Sequence, residues 1–257
     1  MPRAKPHIKP DPEADWFGFT RVRAGEKTAR VRDVFASVAR NYDLMNDLMS
    51  LGVHRLWKNQ FVALIAPRAG ENILDLAGGT GDIALRLHRR SGGKSAITIC
   101  DYNVAMLERG RDRMLDRGLL DTFTWTTGDA AALPFADYQF DKVCISFGLR
   151  NVTRIDTALR EIVRVLKPGG KFFCLEFSPG VIAPLKELYD RYSFSVLPWL
   201  GEVVAHDRAS YQYLAESIRQ FPDQPGLAGR MEAAGLARVR WVDLSGGIAV
   251  MHYGWKL

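Results

Sequence analysis

Cysteine is scarce in this chain of 257 residues. There are three, Cys100, Cys144 and Cys174; no two form a CxxC pair, and each stands in an apolar, strand-like run. The pattern argues against a disulfide framework and reads as three small buried hydrophobes in a reducing compartment. The five histidines are scattered without metal-ligand spacing, so no metal is expected. No apolar run is long enough to span a bilayer. No Lys/Arg run interleaves with aromatics, so nucleic acid is not an expected partner. Internal repeats and low-complexity tracts are missing as well. The opening stretch MPRAKPHIKPDPEADWFGF is Pro-rich and charged, without the apolar core of a secretory signal, and reads as a flexible arm over residues 1–15.

The rest has the composition of an ordinary globular protein, 47% hydrophobic and 25% charged, and is most economically one domain over residues 16–257. The net charge of +6 fits a mildly basic cytoplasmic enzyme. It is also compatible with attraction to an anionic surface.

Val31, Val34, Phe35, Val38, Tyr42 and Met45 recur at helical spacing, so residues 28–49 read as one amphipathic helix and residues 54–66 as a second. From ENILDLAGGTGD onward, apolar strands alternate with helices as far as KFFCLEF, which implies a parallel sheet covered on both faces. Residues 181–221 then look helical and aromatic-rich. A helix near 224–235 follows, and ARVRWVDL and IAVMHYGWK, separated by Ser245-Gly246-Gly247, should close an antiparallel hairpin.

Gly79-x-Gly81-x-x-Ala84 satisfies a loose dinucleotide fingerprint, and Asp101 follows about twenty residues later, at the end of the next strand, where a carboxylate can bind ribose hydroxyls. The alternative is a tight turn with Asp101 capping the next helix. Two further acids, Asp75 before the loop and Asp129 after the third strand, would repel a pyrophosphate. They suit S-adenosylmethionine (SAM), which carries a sulfonium and an ammonium and no phosphate, while loop amides can receive its carboxylate.

On these residues the chain resembles a class I SAM-dependent methyltransferase, and more narrowly the ubiquinone/menaquinone biosynthesis C-methyltransferase family. The specific matches are YDLMNDLMSLGVHRLW and ISFGLRNV; RVLKPGGKFFCLEFS, LDLAGGTGD and SYQYLAESIRQFPDQ add to them. The resemblance implies a Rossmann-like α/β fold: a seven-stranded, mostly parallel sheet with an antiparallel last strand, a helical lid over 28–66 and a helical insert over 181–221. It implies a SAM site at Asp75, Gly79, Thr80, Gly81, Asp101, Asp129, Ala130 and Ser146. It implies an acceptor pocket drawing on Tyr42, Asp43, Asn46, Trp57 and Tyr211. One departure is His206 in VVAHDRASY, where Asn is as frequent in the family, and no role is given to it.

The implied reaction is carbon methylation of a polyprenyl benzoquinol, with demethylmenaquinol as a second acceptor. Carbon attack needs an electron-rich ring, hence a phenolate, and a phenol with pKa near 10 needs a base or a stabilising cation. Arg150, beyond the fourth strand, is expected to stabilise the phenolate, with Asn151 positioning the ring; an Arg cannot be the base. His54 or a water would take the proton. For each of these the plain alternative is structural: a salt bridge of Arg150 with Asp156 or Glu161, a core hydrogen bond for His54, core packing for Tyr42 and Trp57, turn formation by Asp43 and Asn46, and a helix cap at Ser50. The resemblance also admits peripheral membrane contact through the insert, other quinone-biosynthesis proteins as partners, and a homodimer. A cytoplasmic location is expected, with the mitochondrial matrix as the alternative. An O-methyltransferase, a non-catalytic SAM-binding subunit and, less favoured by the acids, an NAD-dependent oxidoreductase remain open at this point.

Overall fold

The computed structural model describes residues 14–23, 25–38, 47, 50, 52–196, 198–199, 202–203 and 208–257. Tyr42, Asp43 and Asn46, expected in the acceptor pocket, lie outside the described residues, as does His206.

The sheet starts with β3 (Asn72–Leu76), β4 (Ala96–Asp101) and β5 (Phe123–Thr127), continues through β6 (Phe140–Ser146) and β7 (Leu166–Phe177), and ends with β8 (Ala237–Leu244) and β9 (Ala249–Trp255). Its order is β5-β4-β3-β6-β7-β9-β8. β3 to β7 run parallel, while β9 is antiparallel to both neighbours. The expected C-terminal hairpin is thus present, and its tight turn places Ser245, Gly246 and Gly247 at positive φ. The Lys-Pro-Gly-Gly segment lies inside β7 as an irregularity where the register to β6 shifts.

Strand period explains the layers. Ile73 and Asp75 face one side of the sheet, Leu74 and Leu76 the other; on β6, Cys144 faces with Ile73, and Val143 and Ile145 with Leu74. One core buries helix α2 (His54–Ile65), α3 (Asp82–Arg90) and α7 (Arg208–Gln220); the opposite core buries α5 (Ile155–Val165) and α8 (Gln224–Ala233). All three cysteines are buried and free. α4 (Val104–Leu115) follows β4 and α6 (Ala183–Arg191) follows β7. Among the described residues no helix is long and apolar enough to cross a membrane.

One N-terminal feature departs from the expectation. β1 (Ala14–Phe17) and β2 (Thr20–Arg23) form a hairpin that the charged opening stretch did not signal. Phe17 stacks on Tyr213 at 4.1 Å, and Glu216 accepts a hydrogen bond from the Phe19 N–H at 2.9 Å, so the hairpin is seated on α7. The first helix, α1, is described over Glu26–Val38, and residues 39–46, 48 and 49 of the stretch expected as helix lie outside the described residues. Thr28 and Thr153 bring their hydroxyls to 2.8 Å and join α1 to the loop after β6.

Candidate cofactor and methyl-transfer site

The strand order reverses at β3: the chain moves outward through β4 and β5, then returns to β6 on the other side. Such a reversal leaves a crevice at the carboxyl ends of the strands. A cavity of about 520 Å³ occupies it, lined by the turn after β3, the ends of β4 and β6, and α1 as its roof.

The turn after β3 needs its glycines for contact as well as conformation. Gly79 and Gly81 have φ of 49° and 75°. A Cβ on Gly78 would stand 2.8 Å from Ile99 Cγ2 and 2.9 Å from the Asp75 carbonyl. Asp75 lies beneath, 1% exposed, and accepts from the Ala84 N–H at 3.0 Å. Asp101 joins turn to strand: Oδ2 accepts from the Gly79 N–H (2.9 Å) and Oδ1 from the Asn103 N–H (2.8 Å). The cap of α4 is Asn103, which accepts from the Ala105 N–H at 3.0 Å, so Asp101 is not the capping residue. Asp129 accepts from the Ala131 N–H at 2.8 Å. Burial pushes the Asp75 carboxyl up to about 7 and that of Asp101 up to about 6.

Of the residues expected to hold the cofactor, Asp75, Gly79, Thr80, Asp101, Asp129, Ala130 and Ser146 all line this cavity; Gly81 does not, and serves the turn as the N-cap of α3. Ser146 Oγ is buried without a protein partner among the described residues. Phe147, next to it on the cavity wall, holds φ at 55°, unusual for a bulky residue and typical of a strained functional wall.

The sequence reading missed Lys58. It belongs to the buried stripe of α2, with His54, Trp57, Phe61, Val62 and Ile65. A lysine in an otherwise apolar and aromatic stripe was the available signal. Its Nζ lies 2.9 Å from Asp82 Oδ2, both residues line the cavity, and the side chain is 4% exposed. Asp82 also meets Arg86 at 3.1 Å and Arg113 at 3.9 Å, and these cations hold its carboxyl down to about 2. The cavity therefore has an acidic stretch at Asp75, Asp101 and Asp129 and a mixed end at Lys58 and Asp82.

These donors fit SAM. Asp101 offers an acceptor for ribose hydroxyls, and the Asp129–Ala130 edge a place for adenine. Lys58 and Asp82 offer opposite charges to the zwitterionic amino-acid end, and the carboxylates suit the sulfonium. A pyrophosphate would meet three acids.

Of the expected acceptor and catalytic residues that are described, Asn151 lines the cavity, and Arg150, His54, Trp57 and Tyr211 do not. Arg150 is 4% exposed and does not line the cavity. Its Nη1 donates to Glu176 Oε1 at 2.5 Å and to the Phe147 carbonyl at 2.8 Å. Neither anticipated partner is used: Asp156 pairs with Arg230 and Glu161 with Arg164. Asn151 does line the cavity and accepts from the Tyr213 hydroxyl at 3.0 Å. His54 faces Asp47, Nε2 to Oδ1 2.9 Å, away from the cavity lining, and burial lowers its pKa. Ser50 Oγ accepts from the His54 N–H at 3.1 Å, but the N-cap position of α2 is held by Val53, not by Ser50. Trp57 donates to Ser245 Oγ at 3.0 Å and packs edge-on against Phe177. Tyr211 is fully buried in the same core.

Comparison with known proteins supplies the family context. The model of the ubiE/COQ5 methyltransferase family matches residues 23–256. The chain is 53% identical over 247 residues to the ubiquinone/menaquinone biosynthesis C-methyltransferase UbiE of Paracoccus denitrificans, covering 96% of this chain and 98% of the relative. It is 56% identical over 241 residues to UbiE of Acidiphilium cryptum, covering 94% and 96%. Among solved structures, a SAM-dependent methyltransferase from Thermotoga maritima superposes with a TM-score of 0.63 at 20% identity, covering 88% and 99%. One from Aquifex aeolicus gives 0.61 at 16%, covering 86% and 98%. At those identities the two structures speak to the fold alone.

Proposed function

Because the chain belongs to the ubiE/COQ5 methyltransferase family, we propose that it is a SAM-dependent C-methyltransferase of ubiquinone/menaquinone biosynthesis. Its acceptors in this reading are a polyprenyl benzoquinol of the 2-polyprenyl-6-methoxy-1,4-benzoquinol type and demethylmenaquinol. The observation that carries the cofactor half is the convergence of Asp75 from β3, Asp101 from β4 and Asp129 from the loop after β5 on one cavity.

SAM supplies an electrophilic methyl group on sulfur. When bound, it would pass that methyl to the ring carbon of a quinol phenolate, which would form a carbon–carbon bond as sulfur keeps the electron pair of the bond broken and would then release its ring proton. This chain's part is to hold and align the reactants and keep the cavity dry. Asp101 and Asp129–Ala130 hold the adenosyl part, Thr80 and Lys58 the amino-acid part, and the roof of α1 closes over them. Ser146, Phe147 and Asn151 form the wall against which the acceptor ring is placed. In this reading Arg150 is a positioning residue. Its bonds to Glu176 and to the Phe147 carbonyl keep the strained wall in place, and the ring proton leaves to water rather than to His54. Residues 16–257 act as one catalytic unit.

A polyprenyl acceptor resides in a bilayer, and an exposed aromatic patch supports contact with one. Phe19 and Phe194 stack with ring centroids 6.2 Å apart, both are exposed, and Arg219 lies 5.5 Å over the Phe194 ring. Trp199 and Val203, also exposed, belong to the same helical insert. Peripheral binding of this kind combines apolar insertion with basic charge. A homodimer and other quinone-biosynthesis proteins are further proposed partners.

The test is turnover of purified protein with SAM and short-tail acceptors of both ring types. A product heavier by one methyl group that has lost a ring proton is the expected result. A methylated product that keeps every ring proton means O-methylation, and SAM binding with no product at all means a non-catalytic subunit.

A further inference from the structure

A second cavity, of about 470 Å³, adjoins the first and shares Thr153 and Arg154 with it. Its wall carries five cations, Lys27, Arg150, Arg154, Arg160 and Arg230, and a single acid, Asp156. Arg230 bonds Asp156 at 3.1 Å, and Arg150 is answered from behind by Glu176 at 2.5 Å. Arg154 and Arg160 add further positive charge to this half-open cleft, and a cleft lined mostly by cations concentrates anions.

Two more observations point the same way. The N-terminus of α5 opens here: Arg154 is its N-cap and makes no side-chain capping bond, and Ile155, Asp156 and Thr157 line the cavity. First-turn N–H groups have no intrahelical acceptor, and the helix dipole favours an anion beside them. Arg150, with its side chain 2% exposed, reaches the same cavity with Nε buried and unpartnered among the described residues. A buried guanidinium N–H without an acceptor is a costly defect unless something fills it.

We propose that this cavity binds a phosphate group. Guanidinium forks, a helix N-terminus and more than one surplus positive charge suit a tetrahedral dianion better than a single carboxylate. Either a phospholipid headgroup or a free phosphorylated metabolite carries that chemistry. Trp16, about half exposed on the rim, and the neighbouring Phe19 provide an apolar margin where a headgroup's chains would leave the protein. The cavity is distinct from the cofactor site, whose lining carries Asp75, Asp82, Asp101 and Asp129 where this one carries Asp156 alone. Because Thr153 and Arg154 belong to both walls, an occupant here bears directly on the loop that closes the methyl-transfer cavity.

The test is calorimetric titration of the full chain with inorganic phosphate, and sedimentation with phosphatidylglycerol or phosphatidylcholine vesicles at one ionic strength. Lys27→Gln and Arg160→Gln are made singly and together, since neither residue lines the cofactor cavity. Saturable phosphate binding is expected, weakened at least about tenfold in the double variant, a loss of one charge-assisted contact's worth, with SAM affinity unchanged. Phosphatidylglycerol binding that free phosphate competes away, and that the double variant lacks, assigns a lipid headgroup. Phosphate binding without vesicle preference assigns a soluble phosphorylated ligand. No saturable phosphate binding, undiminished binding in both single variants and the double variant, or one-for-one displacement by a short-tail quinol overturns the proposal. The proposal stands independently of methyl transfer, which none of these readouts measures.

Discussion

Lys58 Nζ and Asp82 Oδ2 form a part-buried ion pair, 2.9 Å apart, on the wall of the cofactor cavity. The pair offers a positive and a negative group side by side, the complement of an α-amino acid terminus. Asp82 keeps Arg86 and Arg113 when Lys58 is neutralised, so Lys58→Gln should fold. We expect this variant to lose SAM affinity by about tenfold or more, the scale of one charge-assisted contact. Affinity for 5′-methylthioadenosine, which lacks the amino-acid terminus, should stay within about threefold. Equal losses for both ligands, measured calorimetrically, would make Lys58 a packing residue instead.

Arg150 and Glu176 set a second expectation. Removing one partner of a buried pair leaves the other charge uncompensated, at a cost of about 3–5 kcal/mol. Arg150→Ala should therefore unfold at much lower denaturant and lose SAM affinity along with turnover, because the Phe147 carbonyl loses its donor. Arg150→Met with Glu176→Leu should recover most of the stability. If Arg150→Ala instead keeps full stability and SAM affinity while turnover vanishes, the guanidinium acts on the acceptor ring.

The two raised carboxyls predict a pH dependence. Burial lifts Asp75 to about 7 and Asp101 to about 6, so the folded protein holds these protons to higher pH than the unfolded chain. Their contribution to stability is fully present below about pH 4, the unfolded carboxylate range. It is lost as pH rises through the folded values of about 6 and 7. SAM, with its cationic groups, favours the ionised forms. The rise in melting temperature produced by saturating SAM should therefore grow between pH 5 and 8, in step with those same folded values. Asp101→Asn should flatten the part centred near 6. A SAM-induced shift that is constant over this range contradicts the assignment.

Gly78→Ala tests the turn without changing charge. The added methyl would stand 2.9 Å from the Asp75 carbonyl, a backbone atom that cannot swing aside. Overpacking of this kind costs about 1–3 kcal/mol. Because Gly79 donates to Asp101, the displaced turn should also weaken SAM binding. Gly229→Ala, in the interior of α8 where nothing lies near the new methyl, is the control: it should leave SAM binding unchanged and raise stability by about 0.5–1 kcal/mol.

Much of the core of this fold was legible locally. Alternation of apolar strands with amphipathic helices announced a parallel sheet, and the strand-end positions of Asp75, Asp101 and Asp129 followed from the same count, because backbone period is set by near neighbours. The short Ser245–Gly247 connection announced the hairpin in the same way. Partners far apart in sequence were not legible. The sequence offers Arg150 a phenolate or, as the plain structural alternative, Asp156 and Glu161 on the next helix, whereas β7 lies beside β6 in the sheet and brings Glu176 to it. Trp57 looked like a pocket wall and instead meets Ser245, 188 residues away. Lys58 gained its role only when α2 came to rest over the start of α3, and the second cavity exists only because β1–β2, α5, α7 and α8 converge. Sequence by itself determined the order of elements and the chemistry presented at the strand ends. Which side chains became paired and buried, and which were left facing a cavity, was decided by strand order and helix docking, since charge partnership depends on distance in space, not along the chain.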